Sequence, residues 1–280
     1  MEHKLEIKKE DIEIKSGSIY KLSSRTELEV KKLTVAEINT LSEKDDAELL
    51  QAVYQYVSLS IIKVVNSSYK GGGFKVEECT GADFVDLMVI LRLINFKKSP
   101  YLFEQHCIRK TCKFGGMPFV RELSLEDILN ERTFLSAEGV KMLQEGNKRI
   151  DDSSVGKITW HMVIAKDEEK LNDLIKQYGS GMHVPLMVAI DEIAGVEKND
   201  LNSFLKKLDG DTMFELAAII DQFDCGFLGK VGVTCPECKQ KWSIKLPFSI
   251  QALIPSMDLR KEHAKLLKEY KNYPSVKIYK

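Results

Sequence analysis

Nowhere does this sequence hold the run of about 20 apolar residues that crosses a bilayer. Its longest apolar stretch, residues 56–65, is interrupted by Ser58, Ser60 and Lys63, so no transmembrane span is expected. An excess of one charge is also lacking. Its 41 basic and 42 acidic side chains leave a formal net charge of −1, without the long-range attraction by which basic proteins gather nucleic acid or anionic lipid. Nucleic acid is therefore not an expected partner. The first ten residues carry frequent charges and no apolar core of a signal peptide, so export is not expected either.

Catalytic patterns are equally scarce. The glycine run Gly71 to Gly73 is not followed by the Lys-Ser or Lys-Thr of a phosphate loop and reads as a turn. His161 and His183 each sit in an apolar segment with no second histidine or carboxylate at ligand spacing, and read as satisfied core or surface histidines. The adjacent pair Asp191 and Glu192 does not set an acid and a base on opposite sides of a substrate. No nucleophile has a convincing base, and the expectation is a non-enzymatic protein.

What is present is the balance of a folded chain: 280 residues, 44% hydrophobic and 30% charged. Thr34 and Glu37 form a capping box, predicting a helix over 34–41 after a strand at 28–33. Leu49, Leu50, Val53, Tyr54, Val57, Ile61 and Val64 predict one long helix over 47–65, and Phe84, Leu87, Met88, Leu91 and Ile94 another over 83–96. Strands are expected at 101–107, 118–123, 158–164, 231–233 and 242–246, and helices at 167–178, 201–208 and 213–223, with an apolar segment at 183–193. Gly81, Asp83 and Leu87 precede Cys107 much as Gly210, Asp211 and Leu216 precede Cys235, which reads as an internal duplication. The expected fold is α+β, with two related lobes, each of helices plus a strand-knuckle-strand hairpin. An N-terminal arm spans 1–25, the first lobe 26–146 and the second 157–255, joined by a polar link at 147–156. A basic helix and tail occupy 256–280. The helix is expected either to dock on a partner or to pack on its own domain, and the tail at 273–279 to add as an edge strand to a neighbouring chain.

Six cysteines in a chain read as intracellular point to thiols or metal ligands rather than disulfides. Cys235-Pro-Glu-Cys238 has the spacing and flanking strands of a knuckle that presents two sulfurs to one tetrahedral ion, with zinc the natural candidate. Cys107 and Cys112, with four residues between them, are the expected second pair, so one ion would clamp the two lobes as a zinc-ribbon-like module. His106 or Cys225 would substitute for a missing ligand, and metal-free hairpins with buried thiols are the competing reading. A redox pair is disfavoured because Cys235 follows a strand rather than opening a helix.

Several of these segments together resemble a known family. The stretch 189–196 (Ala-Ile-Asp-Glu-Ile-Ala-Gly-Val), the helical region 201–208, Leu216, Gly226, the knuckle 233–238, the segment 242–247 and the apolar stretch 248–254 resemble the C-terminal part of T-even-type bacteriophage baseplate hub and hub-assembly proteins. Upstream, Leu22-Ser23-Ser24, Leu91-Arg92-Leu93 and the Tyr101/Phe103 strand leading to Cys107 look like the same family. Ser23 stands where it has proline, Gly195 is displaced from Asp191, and the first knuckle has four spacer residues rather than two. The resemblance implies a structural or assembly component of a contractile tail baseplate, acting through contacts with other baseplate or hub proteins, in the host cytoplasm during assembly or in the virion tail, with self-association compatible. The reading from another class is a zinc-ribbon protein that binds nucleic acid as a transcription accessory factor. Lys230, Lys239, Lys241, Trp242 and Lys245 favour it and the neutral net charge opposes it.

Overall fold

The computed structural model describes residues 15–42, 46–97, 99–245, 255, 257–270 and 277–279. Strands β1 (Ser18–Lys21) and β2 (Glu27–Val30) form a hairpin in which Leu28 and Val30 turn inward and the alternate glutamates outward. Helix α1 (Val35–Ser42) opens with the expected capping box: the Thr34 N–H donates to Glu37 Oε2 at 2.5 Å, and the Glu37 N–H to Thr34 Oγ1 at 3.3 Å.

The long helix expected over 47–65 is two elements. Helix α2 (Asp46–Ser60) stops at Ser60, whose hydroxyl donates to the Val57 carbonyl, and β3 (Ile61–Asn66) then pairs antiparallel with β2. Ile61, Ile62, Val64 and Val65 are β-branched and lose side-chain freedom in a helix, and β2 offers them an unpaired edge. Helical spacing persists by coincidence into residues that tertiary pairing makes extended.

Helix α3 (Gly81–Phe96), capped by the Thr80 hydroxyl accepting from the Asp83 N–H, is the centre of the first core. Val89 and Ile90 are buried along with the predicted face, as befits a helix enclosed all round. Strands β4 (Tyr101–Gln105) and β5 (Phe119–Leu123) form a hairpin, with the single turn α4 (Lys113–Gly116) in its loop. Serine-capped helices α5 (Leu125–Glu131) and α6 (Ala137–Glu145) follow, and Gly146 closes α6 in the left-handed region at φ +111°.

The polar link expected at 147–156 is a β-hairpin. Strand β6 (Arg149–Ser153) pairs with β7 (Gly156–Trp160), and β7 pairs with β8 (Ile190–Ile193). Asp151 is held there because its carboxylate accepts from the indole N–H of fully buried Trp160 at 2.8 Å. Helix α7 (Asp167–Tyr178) packs against α8 (His183–Ala189), and α8, α9 (Leu201–Leu205) and α10 (Gly210–Asp221) complete the second core. The chain then returns to the first core with β9 (Lys230–Thr234) and β10 (Lys241–Ile244), helix α11 (Met257–Glu269) and strand β11 (Lys277–Tyr279). β11, in the tail expected to add to a neighbouring chain, pairs with β9 of its own chain. The apolar stretch 248–254 lies outside the described residues.

Mixed α and β structure with small antiparallel sheets is thus the fold. Its packing does not follow the expected division at 146 and 157. One core gathers β1–β3, α2, α3, the β4–β5 hairpin, β9 and Leu266, whereas the other gathers residues between Leu135 and Phe223 around Trp160. Both cysteine hairpins therefore belong to the first core.

The two cores meet at a polar seam. Thr133 and Gly226 exchange backbone hydrogen bonds at 2.8 and 2.9 Å. The Ser24 N–H and hydroxyl donate to buried Asp83, and those of Ser23 to buried Asp86. Burial raises both carboxylates, Asp86 to about 7 despite the Arg132 guanidinium 3.6 Å away.

Candidate metal centre

The loop between β4 and β5 turns back because the Cys107 N–H donates to the Phe114 carbonyl at 2.6 Å and the Cys112 N–H to the Arg109 carbonyl at 3.0 Å. The Arg109 N–H donates to Cys107 Sγ at 3.4 Å, which aims the sulfur into the loop's concavity. Gly115 is required for contact reasons: a Cβ there would lie 2.6 Å from the Arg109 carbonyl oxygen and 2.7 Å from that of Lys110.

The loop between β9 and β10 is the tighter of the two. The Cys235 N–H donates to the Gln240 carbonyl, and the Lys239 N–H to the Cys235 carbonyl. Lys239 sits at φ +60°, and its ammonium donates to the Pro236 carbonyl at 2.7 Å. That lysine is committed to its own turn.

The fold brings these loops together. Cys107 Sγ lies 3.5 Å from Cys238 Sγ and Cys112 Sγ 3.7 Å from Cys235 Sγ, and all four sulfurs lie within 4.8 Å of one another. None is in a disulfide. A tetrahedron with arms of about 2.3 Å has edges of about 3.8 Å, so four thiolates around one such ion match this spacing. Cys107 and Cys235 are buried and Cys112 and Cys238 half-buried.

The thiols differ in acidity. The backbone N–H of Gln240 draws Cys238 down to about 7, whereas burial pushes Cys235 up to about 12 and raises Cys107 as well. Four adjacent thiolates repel one another without a cation, and a dication at their centre removes that repulsion. The group could hold a metal ion. Neither expected substitute belongs to it: His106 is exposed, and Cys225 packs against the second core, where burial raises its thiol.

No protein-family model, curated protein or solved structure matches this chain.

Helix α11 lies over the centre. Phe114 packs against Tyr270 with ring centroids 6.1 Å apart, the Lys113 ammonium meets Glu269 at 2.9 Å, and the Tyr270 hydroxyl donates to Glu237 at 2.7 Å. His263 and Leu266 turn inward, the former 3.0 Å from Glu122 on β5. Of the two alternatives for the basic helix, packing on its own domain is the one observed. Lys261, Lys265 and Lys268 remain exposed on its outer side.

A second group escaped the sequence reading. His161 Nδ1 lies 3.1 Å from Asp191 Oδ1 and Nε2 3.2 Å from Asp167 Oδ2. The hydrogen bond to Asp167 raises the imidazole pKa against burial, with Asp191 adding to it. Asp191 stands 30 residues from His161 in sequence, so spacing along one element could not have revealed the pair. With both ring nitrogens engaged, His161 has no free nitrogen to act as a base. His183 lies apart at the start of α8, and burial lowers its pKa. No helix among the described residues is long and apolar enough to cross a membrane.

Proposed function

We propose that this chain is a structural or assembly component of a contractile phage tail baseplate hub, working through protein contacts, with one structural zinc ion held by Cys107, Cys112, Cys235 and Cys238. The observation that carries the structural role is the closed set of four sulfurs, drawn from hairpins whose paired cysteines are 123 and 131 residues apart. Four thiolates fill a tetrahedral zinc ion and leave no open position for water or substrate, which favours a staple over a hydrolytic centre. Zinc suits an all-sulfur tetrahedron, and its binding contributes folding free energy on the order of 10 kcal/mol. The baseplate assignment rests on the sequence resemblance, which the metal geometry neither requires nor opposes.

A nucleic-acid-binding zinc ribbon is the alternative, and the surroundings of the knuckle weaken it. Trp242 is half-buried and packs perpendicular to Phe119, with centroids 6.1 Å apart, so part of the indole is committed to the first core. Lys230, Lys239, Lys241 and Lys245 are exposed, but the Lys239 ammonium is tied to the Pro236 carbonyl of its own loop.

Metal analysis of the purified chain with Cys107→Ser and Cys235→Ser made singly tests the staple. One zinc per chain, lost in both variants, supports it; full stoichiometry in either shows that the two pairs do not share an ion. Co-purification of the tagged chain with baseplate proteins from infected cells tests the assembly role, and a gel shift at low salt tests the alternative.

A further inference from the structure

Away from the cysteines, a cavity of about 570 Å³ opens between the two cores. Its walls come from four separated parts of the chain: the stretch carrying Tyr69 to Glu78, the end of α6 with the residues after it, the segment from β7 into α7, and Asp191 on β8. Pockets of this size hold small organic ligands.

The walls are held in place by bonds that have no other evident use. The Tyr69 hydroxyl donates to Asp83 at 2.8 Å and accepts from the Thr80 N–H at 2.9 Å. Asn147, at φ +54°, clamps Met162 by donating to its carbonyl and accepting from its N–H. His161 is fixed between Asp167 and Asp191. Phe74 packs edge-on against Tyr69 at 5.4 Å and, with Leu143 and Ile164, makes part of the lining apolar.

The charge around this lining is one-sided. Lys70, Lys75, Lys148 and Lys166 border it, against Glu78 and Asp191. Glu78 is paired with Lys75 and Asp191 with His161, while Lys70, Lys148 and Lys166 enter no ion pair among the described residues. Three ammonium groups outside any ion pair among the described residues, from three chain segments, thus border one partly apolar cleft in a protein whose net charge is −1.

We propose that this cavity binds a small phosphorylated molecule with an aromatic or apolar body, the phosphate facing Lys70, Lys148 and Lys166 and the body lying on Phe74, Leu143 and Ile164. Several ammonium donors suit a dianion that accepts many hydrogen bonds, and the aromatic wall distinguishes such an ester from a bare anion. Occupancy would tie the two cores together, because each contributes part of the wall. The site is independent of the cysteine centre and of the baseplate reading.

Calorimetric titration of the metal-loaded full chain with phenyl phosphate, ADP, inorganic pyrophosphate and a hexaglutamate peptide tests this. Phenyl phosphate or ADP is expected to bind at least tenfold more tightly than pyrophosphate or the peptide. Combined Lys70→Ala, Lys148→Ala and Lys166→Ala, all at exposed positions, should weaken that binding at least tenfold with an unchanged melting temperature. Phe74→Ala should weaken phenyl phosphate and leave pyrophosphate unaffected. Absence of binding by both esters at millimolar concentration, or unchanged binding in the triple variant, overturns the proposal. Equal or tighter binding of hexaglutamate would instead assign the cleft to an acidic peptide.

Discussion

Cys112 and Cys235, 123 residues apart in the chain, hold their sulfurs 3.7 Å from each other. Neither hairpin alone offers more than two of the four thiols, so the centre exists only when the first core has closed around both. A metal ion held by these four thiols would thereby link its binding to tertiary closure.

Removing the ion should loosen more than the two loops. Helix α11 rests on them through Phe114 with Tyr270 and Lys113 with Glu269. A strong chelator is expected to lower the melting temperature and to speed amide hydrogen exchange in residues 107–116, 235–240 and 257–269, with β6–β8 changing least. Uniform exchange across both cores would contradict this.

Gly115→Ala should damage the wider knuckle specifically. The added methyl meets two backbone carbonyl oxygens closer than 3.0 Å, and these cannot rotate away as a flexible side chain would. Destabilisation of about 1–3 kcal/mol by urea unfolding is expected, together with weaker metal affinity in a competition titration.

The buried carboxylate of Asp86 makes stability depend on pH. Its folded-state pKa, about 7, lies above the unfolded value near 4, so the native state holds more protons between these limits. Stability from this group is therefore fully present below about pH 4 and is lost as pH rises through 7. The urea midpoint should be lower at pH 8 than at pH 5, and Asp86→Asn should reduce the difference; an unchanged difference would clear Asp86 of the effect.

His161 is expected to titrate above an ordinary histidine. Its raised pKa adds stability that is present below the unfolded value near 6.5 and lost as pH rises through the folded one. NMR titration of the ring protons should show a raised midpoint, and Asp167→Asn should bring it down. A midpoint at or below 6.5 in the unaltered chain would mean that the two carboxylates do not hold the imidazolium.

Much of the local structure was legible because its causes are local. The Thr34/Glu37 box, the apolar spacing along α3 and the run 167–178 each specify a helix from residues within a few positions of each other. The knuckle at Cys235 and Cys238 was legible likewise, its two cysteines and flanking strands being contiguous. The helix-to-strand change at Ile61 was not, because the pairing edge that decides it lies on β2. Nor was the His161 pair, whose carboxylates come from α7 and β8, or the cavity, whose walls come from four parts of the chain.

By itself, then, the sequence determined the types of most elements, the residues able to supply four thiols, and a formal net charge of only −1. Only the tertiary structure decided that both knuckles join one core, that strand β11 pairs with β9, and that four lysines border one cleft. The physical reason is range. Capping, periodicity and short ligand spacings act over one or two turns of chain, whereas sulfur geometry, strand edges and cavity walls depend on which distant apolar surfaces bury each other.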